Sequence, residues 1–598
     1  MFIARHNART ALLRSSRRVF PFQARAGIKT VSQDMLRTSS ETAERLEATG
    51  VWTWTRGRRP ASAPIGDKHR TNITSQELCD DIVNYIGPSL ERHRGCDLVD
   101  INPGVGLWSR ALHEAVQPRK HILMENDHVL YEPFLADLIA KDNVKLVPKS
   151  GVVWKDLSEM LETCLPHQHK VDPMAELERN DTLLVSVNLS FYPPKRFQLF
   201  ECVSTMVLYQ LMTSIRTCSL FQQYGLVRML VWVNDNGKRR LLPRGVTRRR
   251  RAAFEAELAC EWIHEVAGKD VEVEERHELR DEWINMESGY RTLNRMRNAG
   301  VAMPIGRETI TYNALQDRSL EYEKLAGVRR PILNRPFRQE LEDLESAHAE
   351  IEDPATMARL KILRFRKKYD IEDSNLYLEL LQQRDAILQL YSTSPADFAA
   401  ADVAWNEKVN KLQKNEAKEF ITIHNNYHLF RQEPPILHWD RRAYEPLAVR
   451  DSDFYPQVPC ALLDLQPKAM DPCLSQYGPN SYYGEISEIM LRFWFMNGRL
   501  PVSKAMDCLW PGFGQLFDQV PSLRDVSKGG VPLTGKGEIV ARCVNETQWA
   551  EMTKVFVDSP FAPTYAQVVG RLMEDFESEV DIDDDPTRGS DAAADASS

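Results

Sequence analysis

Two glycines and a glutamate are spaced in a way that suits the binding of a nucleoside. Gly104 and Gly106 follow the largely apolar run Asp97–Ile101, and Glu125 ends the next apolar run. Glycine allows a tight turn and a close approach of a ligand to the backbone, and the following helix directs free N–H groups at that ligand. A carboxylate at the second strand's end accepts hydrogen bonds from both hydroxyls of a ribose. Because Ser109 replaces the third glycine of the dinucleotide fingerprint, the pattern favours a nucleoside without pyrophosphate, with S-adenosylmethionine as the candidate. The alternative is a turn that needs glycine only for its own backbone.

A second group of residues carries charge that suits contact with phosphate. Eight cations lie in one short stretch: Lys238, Arg239, Arg240, Arg244, Arg248, Arg249, Arg250 and Arg251. This density exceeds what solubility requires, and contact with nucleic-acid phosphates explains it directly. The alternative is the solvated start of a helix with arginine stems lying on the surface. A further basic face runs from Arg359 to Lys368, where flanking acidic residues make a solvated helix face an alternative.

Alternating strand and helix patterns provide a scaffold for these residues. Apolar strand patterns occur at 97–101, 121–125, 143–147, 181–187 and 226–233, and helical patterns separate them at 129–141, 154–165 and 198–223. Buried strands that alternate with helices are typical of a parallel sheet with helices on both faces. The sequence therefore predicts an α/β fold with a doubly wound, Rossmann-like sheet and a ligand site at the strand ends.

Composition limits the classes of protein that remain. The chain has 598 residues and a net charge of −9. This length predicts about two to four domains, and the charge gives no nucleic-acid signal beyond the local patches. The ten cysteines are scattered without a CxxC pair, and no apolar stretch is long enough to span a membrane. His424 and His428 share one helix face without a cysteine or glutamate-rich partner, so a structural role is predicted and no metal site.

The amino terminus predicts the compartment. No aspartate or glutamate precedes Asp34, and seven cations from Arg5 to Lys29 are spaced among apolar residues. An arginine-rich, acid-poor, amphipathic start is typical of a mitochondrial presequence and lacks the apolar core of a secretory signal. The sequence therefore predicts a protein of the mitochondrial matrix. The alternative is a disordered basic arm that contacts nucleic acid.

The order of these pieces resembles the rRNA adenine dimethyltransferase family of S-adenosylmethionine-dependent enzymes. More narrowly, it is similar to the fungal mitochondrial transcription factor B branch, which descends from those enzymes and works with the mitochondrial RNA polymerase. The resemblance covers residues 68–290 and 430–468, and the segment Trp439–Leu447 is also similar to that branch. It implies a class I methyltransferase sheet with a helical insertion and a C-terminal helical domain.

Seven segments are predicted on this basis. A presequence (1–33) and a lead-in (34–68) precede a methyltransferase-like core (69–290), a helical insertion (291–430), the last strand region of the core (431–468), a C-terminal helical domain (469–575) and an acidic tail (576–598). The tail is predicted to be disordered, because its Asp, Glu, Ser and Ala residues cannot bury enough apolar surface to fold.

The resemblance assigns the glycine turn to cofactor binding. The family's first motif carries three glycines, of which Gly104 and Gly106 keep the second and third. Asn102 stands where the first glycine lies and adds a side chain where methionine and ribose would lie. Glu125 keeps the position of the acid that binds the ribose.

Two further cofactor positions follow from the same resemblance. Ser150 stands where the family has an aspartate that holds the adenine amino group, so one adenine contact is lost. The family's N-terminal Gln-Asn-Phe-Leu motif aligns with Arg70–Ile73, which places Ile73 at the pocket without reproducing the polar residues of the motif.

The family's catalytic motif is Asn-Leu-Pro-Tyr, and this chain has Asn188-Leu189-Ser190-Phe191. In the family, the Asn side chain and a backbone carbonyl bind the target adenine, and the aromatic ring stacks on the flipped base. Asn188 and Phe191 are therefore the catalytic candidates. Ser190 removes the proline that helps to aim the carbonyl, and methyl transfer depends on in-line placement of its reactants.

Three functions are compatible with these residues. The first is a mitochondrial transcription factor with a vestigial cofactor site, which binds promoter DNA and assists melting by the mitochondrial RNA polymerase. The second is an active mitochondrial rRNA adenine N6-dimethyltransferase that uses S-adenosylmethionine. The third is a non-catalytic RNA-binding protein of the mitochondrial ribosome. The changed residues Asn102, Ser150 and Ser190 favour the first function. The retained residues Glu125, Asn188 and Phe191 keep the second open.

Overall fold

An eight-stranded sheet forms the centre of the computed structural model, which describes residues 31–52, 66–172, 174–194, 202–270, 279–348 and 354–570. The predicted acidic tail and all but the last residues of the predicted presequence lie outside these ranges. The strands are β1 (Asn72–Ile73), β2 (Asp97–Ile101), β3 (Lys120–Met124), β4 (Val144–Val147), β5 (Arg179–Asn188), β6 (Leu226–Asn234), β7 (Cys260–Gly268), β8 (Leu447–Ala448), β9 (Phe454–Tyr455) and β10 (Cys460–Pro467).

The order across this sheet is β4-β3-β2-β5-β6-β10-β7-β8, and β1 pairs separately with β9. The strands from β4 to β6 are mutually parallel, as predicted. All five residues of β2 are buried, as expected for a parallel strand covered on both faces. The sequence analysis missed β7. It also missed that β10 runs antiparallel to both of its neighbours, β6 and β7.

Sixteen α-helices in the described ranges surround or extend the sheet. Those of the core are α1 (Glu41–Ala48), α2 (Gln76–Leu90), α3 (Leu107–Val116), α4 (His128–Ile139), α5 (Trp154–Cys164), α6 (Val203–Arg216) and α7 (Arg251–Ala259). Those between β7 and β8 are α8 (Glu282–Ala299), α9 (Ile310–Ala314), α10 (Pro336–His348), α11 (Pro354–Thr393), α12 (Pro395–Lys411) and α13 (Lys414–Arg431). The last three are α14 (Ser481–Met496), α15 (Val502–Leu509) and α16 (Glu546–Asp558).

The architecture confirms the predicted fold class, a Rossmann-like methyltransferase sheet with a helical C-terminal region. A buried ion pair fixes β10 beside β6, because Arg228 holds both carboxylate oxygens of Asp464 at 2.8 and 2.7 Å. In the described ranges, no helix combines the length and apolar character that crossing a membrane requires.

Candidate functional site

The turn after β2 contains three residues in the left-handed region of the backbone. Asn102, Gly104 and Gly106 all have positive φ angles, of 58°, 59° and 77°. Asparagine tolerates the left-handed region better than most residues with a side chain, which explains how it can stand at a glycine position. A Cβ atom at Gly104 would clash with the end of the Asn72 side chain, so another residue there would have to displace Asn72 and also adopt a positive φ.

Glu125 follows β3 directly, but its carboxylate already has protein partners. Arg70 Nη1 donates to Glu125 Oε2 at 2.5 Å, and Gly104 N donates to the same oxygen at 3.2 Å. Asp127 N donates to Oε1 at 2.9 Å. Glu125 is 0% exposed and Arg70 is 3% exposed. The two side chains therefore form a closed ion pair at the position assigned to ribose binding.

The surroundings of Arg70 stabilise its charged form. Burial alone lowers the pKa of its guanidinium, but the charge of Glu125, with contributions from Tyr131 and Asp127, outweighs burial and raises the pKa above its ordinary value. The guanidinium also lies over the ring of Tyr131, 5.2 Å from the ring centroid. Its second terminal nitrogen donates to Asn102 Oδ1 at 3.3 Å. Arg70 is thus a permanent cation at the centre of the site.

The motif that begins with Asn188 is bound into the same network. Asn102 Nδ2 donates to the carbonyl oxygen of Asn188 at 3.0 Å, and Asn188 Nδ2 donates to Thr71 O at 3.2 Å. Ser190 N donates to Asn188 Oδ1 at 2.9 Å. The amide and the carbonyl of Asn188 therefore bind protein groups, and both are buried.

Phe191 lies inside the protein in this arrangement. It is buried, its backbone forms an antiparallel bridge with Arg70, and its carbonyl accepts a hydrogen bond from Asn234 Nδ2 at 2.6 Å. A ring in this position does not present a face to a flipped base. Stacking on a base would require the segment to move.

The remaining predicted cofactor residues lie near the site but not in its network. Ile73 is in β1, pairs with Phe454 and packs in the apolar core beneath the turn. Ser150 lies after β4 in the turn that leads into α5, where its backbone N–H donates to Asp156 at 3.4 Å. The structure therefore brings together Asn102, Gly104, Glu125 and Asn188, but neither Ile73 nor Ser150 contacts the Glu125 carboxylate within the described residues.

Asp100, below the same turn, is a buried carboxyl group. It accepts a hydrogen bond from Ser109, the residue at the position of the missing third glycine. Burial raises the pKa of Asp100 to about 7, because hydrogen bonds from Ser109 and Ser186 offset the loss of hydration only in part. The group is therefore protonated in the folded protein at pH values where it is ionised in the unfolded chain.

We expect the stability of Asp100→Asn relative to the wild type to increase as the pH rises towards 7. The unfolded carboxyl group ionises at about pH 3.9 and the folded one near its raised pKa. The contribution of Asp100 to wild-type stability therefore falls across this window and is constant above it. Since asparagine does not ionise, the stability difference between variant and wild type should widen by at most about 1.4 kcal/mol per pH unit. Thermal unfolding between about pH 5 and pH 8 measures this difference.

Asp97 provides a control for the Asp100 experiment, because folding shifts its pKa in the opposite direction. Hydrogen bonds from Arg119 and Gln168 outweigh burial and lower the pKa of Asp97. Its stabilising effect is therefore complete above the unfolded pKa, and Asp97→Asn should destabilise the protein by a nearly constant amount over the same pH range. If the stability difference between Asp100→Asn and the wild type were also independent of pH, the pKa of Asp100 would not be raised in the folded protein.

The basic stretch from Lys238 to Arg251 is divided between interior and surface. Lys238 is buried and donates to Asp235 and Glu265, each at 2.6 Å. Arg249 is also buried and donates to Glu257 at 2.6 Å. Buried carboxylates from α7 and β7 neutralise these two cations, so neither can reach a phosphate. The assignment of Lys238 and Arg249 to a nucleic-acid surface is therefore wrong.

The other cations of this stretch lie nearer to solvent. Arg248 and Arg250 are exposed, whereas Arg239, Arg240, Arg244 and Arg251 are partly buried. Arg244 lies over the ring of Trp439 at 3.7 Å from its centroid, and Arg251 donates to Glu255 at 2.8 Å. The surface part of the predicted patch is therefore centred on Arg248 and Arg250.

The second basic face lies on the long helix α11. Arg359 and Arg364 form ion pairs with Glu340 and Glu345 of α10. On the same helix, Phe365 and Tyr369 are exposed aromatic side chains whose ring centroids are 4.6 Å apart. Exposed Lys361, Arg366 and Lys367 accompany them. This face combines aromatic rings with cations, whereas the two arginines nearest α10 serve the packing of the helices.

Arg70 is the functional residue that the sequence analysis missed. It stands in the segment aligned with the family's Gln-Asn-Phe-Leu motif, where the family has an uncharged residue. The available signal was the cation itself, at a position where the family has an uncharged residue. The alignment alone does not reveal the pairing, because 55 residues separate the two partners along the chain.

Part of the chain is similar to a known protein family. Residues 70–271 match the family model described as ribosomal RNA adenine dimethylase. A comparison with curated protein sequences gives no match. A crystal structure of a dimethyladenosine transferase from Plasmodium falciparum is similar with a TM-score of 0.31 and 9% sequence identity, over 81% of this chain and 97% of that one. The chain thus contains an rRNA adenine dimethylase-like domain, as the family match and the sheet topology indicate.

Proposed function

We propose that this protein is a mitochondrial transcription factor that uses an rRNA adenine dimethyltransferase-like domain as a nucleic-acid-binding scaffold. It binds promoter DNA beside the mitochondrial RNA polymerase in the matrix, assists melting and does not methylate RNA. The observation that carries the proposed loss of methylation is the buried ion pair of Arg70 with Glu125. The basic, acid-free composition of residues 1–30 supports the mitochondrial location.

S-adenosylmethionine does not fit the arrangement of these side chains. The cofactor carries a positive sulfonium and would need the Glu125 carboxylate for its ribose, but the permanently charged Arg70 occupies that carboxylate. Asn102 also binds the carbonyl of Asn188, which the family uses for the target adenine. Cofactor binding would therefore have to displace a buried guanidinium and leave it without its partner, which costs several kcal/mol.

Two surfaces support nucleic-acid binding in the absence of catalysis. The exposed part of the basic stretch, centred on Arg248 and Arg250, offers charge to phosphates. The α11 face offers Phe365 and Tyr369 with cations beside them, which is the combination that single-stranded bases stack on. A factor that holds a melted strand needs both kinds of contact.

The direct test of the proposal is run-off transcription from a mitochondrial promoter with the cognate polymerase. We expect added protein to stimulate specific transcripts, and we expect S-adenosylmethionine to make no difference. The control is the same reaction on DNA without a promoter. Absence of stimulation across the concentration range in which the protein binds DNA would refute the transcription role.

The exposed arginines should contribute to the salt dependence of nucleic-acid binding. We expect the double variant Arg248→Ala, Arg250→Ala to reduce the slope of log K against log salt concentration by about 1–2 for duplex DNA, since each phosphate contact contributes about 0.9. Fluorescence anisotropy at several salt concentrations measures the slope. Both side chains are exposed, so the folded structure should be preserved.

A matched double variant controls for the loss of two charges. Arg499 and Lys504 are exposed cations of the C-terminal helical region, and replacing both with alanine changes the net charge equally. This control should keep the wild-type slope. Equal slopes for the two double variants would contradict the assignment of the Arg248 region to nucleic acid.

The second candidate function is an active rRNA adenine N6-dimethyltransferase. The observation in its favour is that Glu125 and Asn188 remain joined in one network through Asn102 and Arg70. Calorimetry with S-adenosylmethionine separates the two functions. We expect no binding at micromolar concentrations, whereas micromolar affinity that Glu125→Ala abolishes would favour the enzyme.

A further inference from the structure

A protein that holds a melted strand needs exposed aromatic rings, and the Asn188 motif does not provide one. Phe191, the ring of that motif, is buried. On the long helix α11, in contrast, Phe365 is 59% exposed and Tyr369 is 49% exposed. The helical insertion is therefore the part of the chain in which a stacking surface has to be sought.

One side of α11 packs against α10. Leu360 and Leu363 of α11 are buried there together with Leu341 of α10. Two ion pairs between arginines of α11 and glutamates of α10 accompany this apolar contact. Because α10 covers this side and neutralises its arginines, only the opposite side of α11 is open to another molecule.

The opposite side of α11 carries a short apolar stripe. Ile362, Phe365 and Tyr369 stand at positions i, i+3 and i+7, which places them within about 60° of one another around the helix. All three side chains are exposed, and the ring centroids of Phe365 and Tyr369 are 4.6 Å apart. Adjacent exposed side chains of this size are more typical of a binding surface than of a solvated helix face.

Cations flank this stripe on both sides. The helical periodicity places Lys361 on one side of the two rings and Arg366 on the other. Both cations are exposed, and neither makes an ion pair within the described ranges, unlike the arginines that face α10. Proteins that bind single strands combine aromatic rings, on which bases stack, with cations that contact the phosphates. The α11 face presents both kinds of group side by side.

The shortness of the stripe disfavours a helical protein partner. From Ile362 to Tyr369 it runs for about two helical turns, or roughly 10 Å, and Glu372 stands at the next position of the same repeat. Helices that pair side by side repeat their apolar residues over about three to four heptads. A second copy of the chain is disfavoured as well, because it would bring like charges against Lys361 and Arg366.

Duplex DNA does not use the rings of this face. Paired bases keep their faces inside the stack, so a duplex could offer Phe365 and Tyr369 only its sugars and phosphates. A single strand can turn its unstacked bases onto the rings while its phosphates meet the flanking cations. The combination of groups on α11 therefore favours a single strand over a duplex.

We propose that the α11 face is a selective site for single-stranded DNA, with bases stacked on Phe365 and Tyr369 and phosphates at Lys361 and Arg366. The inference rests on the proposed function and deepens it, because it divides the DNA between two surfaces. The melted strand binds to the insertion, and the duplex binds to the surface centred on Arg248.

The test measures binding of the full chain to oligothymidylate of about 16 nucleotides, the upper end of known single-strand site sizes, and to a duplex of the same length. The double variant Phe365→Leu, Tyr369→Leu keeps apolar side chains but removes both rings. We expect it to bind the single strand at least tenfold more weakly than the wild type, since the loss of one stacked base costs about 5- to 150-fold. Its affinity for the duplex should not change. Fluorescence anisotropy measures both affinities.

A second double variant is the matched control. Phe561 and Tyr565 are also four residues apart and are 89% and 44% exposed, but no lysine or arginine lies within residues 559–570. Replacing both with leucine should leave single-strand binding at the wild-type level. All four rings are exposed, so neither double variant should disturb the fold. Equal single-strand affinities of the two double variants would overturn the proposal.

Failure of this proposal can be distinguished from failure of the proposed function. If the wild type stimulates transcription but the Phe365→Leu, Tyr369→Leu variant binds single strands equally well, only the α11 assignment is wrong. If the wild type does not stimulate transcription, the proposed function fails, whereas loss of single-strand binding in that variant still supports the α11 site. A wild-type dimer in sedimentation analysis that the same variant loses, with single-strand binding unchanged, would make this face an interface between copies and overturn the proposal.

Discussion

Glu125→Ala is expected to lower the free energy of unfolding by about 3–5 kcal/mol, as removal of one partner from a buried ion pair does. The physical reason is Arg70, which is 3% exposed and would lose the carboxylate that neutralises it. The N–H groups of Gly104 and Asp127 would also lose their acceptor. Thermal unfolding of the variant beside the wild type measures the effect.

A double variant separates the charge of Glu125 from its packing. Replacing both partners, with Arg70→Met and Glu125→Leu, removes the buried charges together and keeps most of the volume. Such replacements of buried ion pairs are often neutral or stabilising, so the double variant should unfold at a higher temperature than Glu125→Ala. The unfolding temperature of Glu125→Gln should lie between those of Glu125→Ala and the double variant, since the amide oxygen of glutamine can still accept a hydrogen bond from Gly104.

The same experiment distinguishes a structural acid from a ligand-binding acid. In a working cofactor site the carboxylate is satisfied by the ribose, and its loss reduces cofactor affinity with little effect on the stability of the free protein. Here the partner of Glu125 is Arg70, and stability is the property that should change. An unchanged unfolding temperature in Glu125→Ala, together with lost cofactor binding, would refute the closed site and support the methyltransferase.

The parallel strands could be predicted because buried strands have a recognisable local pattern of apolar residues. The strand β2 and the second half of β5 are buried, so both are rich in apolar residues and are bounded by turns. The strand β7 could not be found in this way, because charged residues interrupt it. Its Glu265 is buried beside Lys238, and both residues resemble surface residues until their pairing is known.

The candidate site could also be predicted only in part, because some of its contacts join residues far apart in sequence. The glycines, Asn102, Glu125 and Asn188 could be placed from their spacing and from the family motifs, and the structure brings these residues together. The occupancy of the site could not be predicted, since it depends on Arg70 reaching a carboxylate far away along the chain. Local patterns specify which elements form, but long-range ion pairs decide whether a site is open.

Asp440→Ala is expected to be the second strongly destabilising change, by about 3–5 kcal/mol. Asp440 belongs to the segment Trp439–Leu447 that resembles the transcription factor branch, and its side chain is 0% exposed. Its Oδ1 accepts hydrogen bonds from Arg280 Nη2 at 2.5 Å and from Ser288 Oγ at 2.7 Å. The backbone carbonyl of Asp440 accepts from Arg295 Nη2 at 2.9 Å.

These contacts indicate that the segment joins the insertion to the sheet. Ser288 and Arg295 lie on α8, the first helix after β7, and Arg280 precedes that helix. Arg442 of the same segment is also buried, with Glu445 as its partner at 2.6 Å. Arg442 is therefore held inside the protein, where it stabilises a junction and does not form part of a nucleic-acid surface.

Asp440→Asn is the matched control, because its amide oxygen can keep both hydrogen bonds that Oδ1 accepts. The other oxygen, Oδ2, has no hydrogen-bond partner in the described part of the chain, so an amide nitrogen there displaces nothing. Asp440→Asn should therefore lower the free energy of unfolding less than Asp440→Ala does. Alanine removes the carboxylate that pairs with Arg280, whose side chain is only 4% exposed. Thermal unfolding and proteolysis of the α8 region should both rank the variants in this order. Equal stability of Asp440→Ala and wild type would show that α8 is held to the sheet by apolar packing alone.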